Sequence, residues 1–110
     1  MNDKTTTVEE VKEKMREFVK KREWDEYHTP KDLSMAIATE ASEIMEHFRF
    51  RNGEILQEYL SDEDNRKELS HELADVFSFL VRLSDVMGID LAKAFEEKLE
   101  KNSERFPVET

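Results

Sequence analysis

Apolar residues recur every three to four positions along this chain and seldom alternate, which is the signature of amphipathic helices and not of strands. Val8, Val11, Met15, Phe18 and Val19 form a first stripe, with Thr5, Thr6 and Thr7 ahead of it as N-cap candidates; the spacing predicts a helix over 8–22. The stretch WDEYHTP at 24–30 breaks the stripe. Pro30 suits the first turn of a second helix capped by Thr29 and running to about residue 48. Asn52-Gly53 signals a turn, followed by a short helical piece over 54–60. Ser61 and Asp62 then cap a long helix over 62–87, which Gly88 ends. Asp90 caps a last helix that runs to about residue 105, and Pro107 closes it. Four helices on short connections predict an all-α, four-helix bundle-like fold. No repeat or low-complexity segment interrupts the pattern.

The same periodicity places the acids. A helix advances about 100° per residue. With Leu33 at zero, Ile44, Ile37 and Phe48 fall at about 20°, 40° and 60°, Glu40 at about 340° and Glu43 at about 280°. Glu40 therefore lies on the apolar face and Glu43 borders it. On the long helix, Leu69, Leu73, Val76, Leu80, Leu83 and Met87 form the stripe, and Phe77, Leu80 and Leu83 read as core. Glu72 (about 40°) and Asp75 (about 340°) flank Phe79 (about 20°) at the edge of that stripe when Glu68 is at zero.

Composition narrows the chemistry. The chain has 110 residues, 40% charged and 37% hydrophobic, with two glycines and two prolines, which suits one helical domain with a modest core that oligomerisation would help. There is no cysteine, so disulfides, thiolate catalysis and cysteine-based zinc sites are excluded. A net charge of −10 argues against a nucleic-acid binder, because phosphate backbones select basic surfaces. It says less about nucleotides, since a bound metal inverts the sign of a local site. No apolar run approaches the ~20 residues of a membrane span, and MNDKTTTVEE carries no apolar signal core, so a cytoplasmic protein with no membrane partner is expected.

Carboxylates converging between two helices require compensation by protonation, by pairing with Arg or Lys, or by a cation. An all-oxygen cage suits a hard divalent cation such as Mg²⁺, which keeps positions open for phosphate oxygens. Acid-x-x-acid pairs also arise on solvated helix faces in a chain with 27 acids; two pairs both set against apolar stripes weaken that reading and leave a metal site and a structural role both open. Glu68-Leu69-Ser70-His71 has the form of a di-iron motif, but it occurs once and His71 projects away from the apolar centre. Lys98 and Asn102 fall at about 340° and 20° from Leu91, within the Leu91–Phe95–Phe106 face. Lys98 snorkelling and Arg105 pairing on the surface is the simpler reading of these alone. Trp24 and His28 lie between two helices, where they either plug the bundle end or meet a ligand base. His47, four residues after Glu43, is read as solvated or as supporting the acids.

Four stretches, REWDEYHTPKDL, TEASEIMEHFRF, ELSHELADVFSFLV and KLEKNSERFP, together resemble the MazG-like, all-α nucleoside triphosphate pyrophosphohydrolase superfamily, in particular its dCTP pyrophosphatase-like branch. The resemblance runs from about Phe18 to Pro107. It implies hydrolysis between the α and β phosphates, giving a monophosphate and pyrophosphate for nucleotide-pool sanitation. It also implies Mg²⁺, with Mn²⁺ as a substitute, on Glu40, Glu43, Glu72 and Asp75, with Glu40 or Glu43 as general base. The resemblance assigns Trp24, His28, Phe50 and Phe79 to the nucleotide pocket and Lys98, Asn102 and Arg105 to the phosphates. It further implies a homo-oligomer, with a tetramer favoured over a dimer. Phe50 and Phe79 stand where related sequences often carry Trp and Tyr. Stacking survives this change but a tyrosine hydrogen bond does not, so the base preference among dCTP and other or modified pyrimidine deoxynucleotides stays open. The alternative is a non-catalytic helical module that binds metal or nucleotide.

Overall fold

The computed structural model describes residues 1–109. Among them the chain forms α1 (Val8–Lys21), a 3-10 turn (Asp25–Tyr27), α2 (Pro30–Glu46), α3 (Gly53–Ser61), α4 (Glu63–Val86) and α5 (Leu91–Arg105), with no strand. The helices begin where side chains can satisfy orphan backbone donors. Thr7 and Glu10 form a reciprocal capping box, with Glu10 N–H donating to Thr7 Oγ1 at 3.1 Å and Thr7 N–H to Glu10 Oε1 at 3.2 Å. Thr29 caps α2 ahead of Pro30, and Asp90 caps α5. Asp62 both ends α3 and caps α4. Gly88, at φ +67°, turns the chain after α4 in a left-handed conformation that a Cβ would strain. The predicted elements are all present. The second helix stops at Glu46 instead of 48, where residues 47–50 turn out of it.

Packing centres on α4. It lies along α2 over most of its length and touches α1 and α3 less extensively, while α5 packs closely on none of them. Val19 of α1, Leu33 of α2 and Val81 of α4 are fully buried where these helices meet, each contributing roughly 1.5–3 kcal/mol of hydrophobic stabilisation. Beyond them little is covered. The radius of gyration is 17.1 Å, against about 13 Å for a compact chain of this length. The accessible surface is 9108 Å², against roughly 6,400 Å² for a compact monomer of this mass.

That openness corrects three expectations. Leu73, Leu80 and Met87 of the predicted α4 stripe are exposed, and so is Phe77; of the three residues read as core, only Leu83 is partly covered. On α5, Phe95 and Phe106 are each 67% exposed, so its apolar face meets no other helix. The face of α4 that is buried carries Val81, Arg82 and Ser84. The physical reason is that the apolar stripe of α4 is wider than its neighbours can cover: Leu69, Val76 and Leu83 are partly buried, and Leu73, Leu80 and Met87 along its other edge are not. A cleft of about 570 Å³ between α1 and α4, lined by Val8, Val11, Met15 and Phe77, belongs to this uncovered side and contains none of the clustered acids.

Candidate active site

The α2–α4 contact sets the four predicted acids against one another. Glu40 is partly buried, and its carboxyl is raised above the ordinary range, first by burial and then by the charges of Glu43, Asp75 and Glu72. Glu43 and Asp75 open towards solvent. The pairing of α2 with α4 thus brings the other three acids near enough for their charges to act on Glu40.

Glu72 is held by His47. His47 is 5% exposed; its Nε2 bonds Glu72 Oε2, and its Nδ1 meets the Tyr59 hydroxyl at 2.6 Å. Arg51 in turn stacks its guanidinium 3.7 Å from the Tyr59 ring centre and donates to the His47 carbonyl. His47 is therefore not solvated; it joins α3 to an acid of α4. The only sequence signal was its spacing of four from Glu43. Among the described residues, no three acidic or histidine side chains converge as a metal-ligand set. The four acids offer only carboxylate oxygens, and the nearby charges add to burial in raising Glu40; an all-oxygen donor set of this kind suits a hard divalent cation.

Further along α4 lies a second group. Asp75, Phe79 and Arg82 share one face of α4, and seven residues put Arg82 about 10 Å from Asp75 along the axis. Arg82 is buried and donates to His28 Nδ1 at 3.2 Å and to Asp25 Oδ1 at 3.2 Å. Asp85, one turn on, receives two bonds of 2.7 Å from Arg16, which hold its carboxyl below the ordinary range. The sequence reading missed Arg82, although its angle of about 320° lay beside that of Asp75.

The remaining predicted residues are dispersed in the single chain. Trp24 packs edge-on against Phe18 and is partly exposed. Phe79 is partly buried beside the acids. Phe50 is 87% exposed, in a left-handed turn at φ +64° with Arg49 over its ring. Lys98 and Arg105 are exposed and Asn102 is partly buried, all on α5, which packs closely on neither α2 nor α4. One chain therefore does not bring the expected phosphate contacts to the acids.

Residues 35–110 match the sequence description of the MazG-like family. The chain is 32% identical over 103 residues to dCTP pyrophosphatase 1 of Homo sapiens and 30% identical over 102 residues to that of Rattus norvegicus. Each alignment takes in 93% of this chain but 60% of the relative, so the chain spans about 60% of the length of these curated relatives. A crystal structure of a pyrophosphatase from Archaeoglobus fulgidus superposes with a TM-score of 0.83 at 33% identity, covering 98% of this chain and 99% of that one. No helix among the described residues is long and apolar enough to cross a membrane.

Proposed function

We propose, from the premise that this chain belongs to the MazG-like family, that it hydrolyses a nucleoside triphosphate to the monophosphate and pyrophosphate. The carrying observation is the approach of Glu43, Glu72 and Asp75 to Glu40 between α2 and α4, where burial first and then their charges raise the Glu40 carboxyl. These four acids would hold Mg²⁺, with Mn²⁺ as a substitute. When bound, the ion offsets the triphosphate charge and polarises the attacked phosphorus. Glu40 or Glu43 accepts the proton of the attacking water, and His47 holds Glu72 in place.

About 10 Å along α4 from the acids, His28 and Trp24 receive the base, with Phe79 lining the space between. The names of the relatives, dCTP pyrophosphatase 1, support a pyrimidine deoxynucleotide, dCTP or a modified form, and a role in nucleotide-pool sanitation. Phe50 offers an exposed ring for stacking. Lys98, Asn102 and Arg105 reach the phosphates of a neighbouring protomer's site or of their own once α5 is packed in a homo-oligomer, a tetramer in this reading. The large uncovered apolar area supports that assembly. The protein acts in the cytoplasm on free nucleotides.

The test is pyrophosphate release from canonical and modified triphosphates, with and without Mg²⁺. Metal-dependent turnover of one or a few pyrimidine deoxynucleotides, abolished by Glu40→Gln, is expected. Binding of metal or nucleotide with no turnover across the panel would overturn the catalytic reading in favour of a binding module.

A further inference from the structure

The buried guanidinium of Arg82 lies outside the acid cluster and has three partners. Its Nη2 donates to Asp25 Oδ1 at 3.2 Å, its Nη1 lies 3.7 Å from Asp85 Oδ2, and its Nε donates to His28 Nδ1 at 3.2 Å. Asp85 is itself anchored by the two bonds from Arg16, so Arg82 is held from α1, α4 and the 3-10 turn at once. A guanidinium has donors only and keeps its proton in proteins. His28 Nδ1 must then be the acceptor, which in a neutral ring leaves the proton on Nε2. No protein group among the described residues bonds that Nε2–H.

We propose that Arg82 is a positioning residue that fixes His28 as the neutral, Nε2-protonated tautomer, so that His28 meets the nucleotide base only as a donor. This rests on the nucleotide reading above. The acceptor is a carbonyl oxygen or a ring nitrogen lone pair of the base; an amino group at that place would set N–H against N–H. A charged imidazole would direct a second proton at the guanidinium. Burial and the charge of Arg82 accordingly lower the proton affinity of His28, opposed by Asp25. Those two, from α4 and from the 3-10 turn, are the charged groups that face the ring.

Long-range proton–nitrogen NMR of the imidazoles in the whole protein tests this, with His28 assigned among the three histidines by His28→Gln. The wild type should show the Nε2-protonated tautomer and stay neutral to a lower pH than a free imidazole. In Arg82→Met, whose side chain refills the space, tautomers should mix and the pKa should rise. Mixed tautomers alone dilute the competent ring by about twofold; with the ring's orientation also freed, KM for the preferred triphosphate should rise towards about tenfold, the loss of one well-oriented hydrogen bond, with kcat changed less than about twofold. That KM should also become pH-dependent as the ring charges. Arg82→Lys, which keeps the charge but not the fork, should fall between. A wild-type ring protonated on Nδ1, or charged at neutral pH, overturns the proposal without needing any variant to fold. So does an unchanged His28 spectrum, or an unchanged KM, in Arg82→Met. If the wild type hydrolyses no triphosphate while the Nε2 tautomer is present and depends on Arg82, the nucleotide reading falls and the tautomer assignment stands.

Discussion

His47→Leu tests the contact that ties Glu72 to the rest of the molecule. Leucine keeps the bulk of a side chain that is 5% exposed and removes both ring nitrogens. The Tyr59 hydroxyl and the Glu72 carboxylate each lose a partner. A neutral hydrogen bond contributes about 1 kcal/mol net and one to a charged group about 1.5–3 kcal/mol, so the full sum is about 3 kcal/mol. Both orphaned groups keep an open side, since the Glu72 side chain is 24% exposed and Tyr59 is partly buried. Water recovers part of the loss, which brings the expected destabilisation to about 2 kcal/mol. Urea unfolding in EDTA, at fixed protomer concentration because assembly contributes to stability, measures this term free of metal. Tyr59→Phe should cost about 1 kcal/mol, and combined with His47→Leu should add little, a coupling of about 1 kcal/mol. In the second half of the experiment, the Mg²⁺ concentration for half-maximal thermal stabilisation should rise at least about tenfold in His47→Leu, because a ligand loses its orienting partner. Stability unchanged within about 0.5 kcal/mol, together with an unchanged Mg²⁺ midpoint, would refute the role given to His47.

Three further outcomes are expected. The surface in excess of a compact monomer, roughly 2,700 Å² per chain, is of the size that obligate assemblies bury; sedimentation should give a particle of at least two chains, and Phe95→Glu with Leu99→Glu on α5 should reduce its mass or unfold it. Asp85→Asn should destabilise at neutral pH but not in acid. The folded carboxyl is depressed by Arg16, so its contribution is present above the unfolded value of about 3.9 and is lost as pH falls through the folded one; equal stability losses at pH 7 and pH 3 would contradict this. Thr7→Ala should cost about 1 kcal/mol in thermal or urea unfolding through loss of the capping box at the start of α1, and Thr6→Ala, one residue earlier, markedly less.

The local elements were legible because their causes are local. Thr7, Thr29, Asp62 and Asp90 cap the helices within three residues of their own positions, and Gly88 ends one through its own backbone freedom. The placing of Glu40, Glu43, Glu72 and Asp75 beside apolar stripes followed from a fixed turn per residue. In the structure the pairing of α2 with α4 brings the other three near Glu40, while Glu43 and Asp75 stay exposed.

Contacts between elements were not legible. His47 meets Glu72 and Tyr59, 25 and 12 residues away, and Arg82 meets His28 across 54. Such pairings depend on how loops return one helix to another, and periodicity carries no information about that. Hydrophobic pattern also marks which faces avoid water without naming what covers them. It marked Phe77, Leu80 and Phe95 as apolar-facing residues, yet the tertiary structure leaves them uncovered within one chain. The amino-acid sequence alone therefore determined the helices and the acids they present, because helix geometry relates neighbours by a fixed rotation. The tertiary structure decided which acid is held by His47, which histidine Arg82 orients, and that α5 stands apart, because those contacts depend on how the helices are arranged in space.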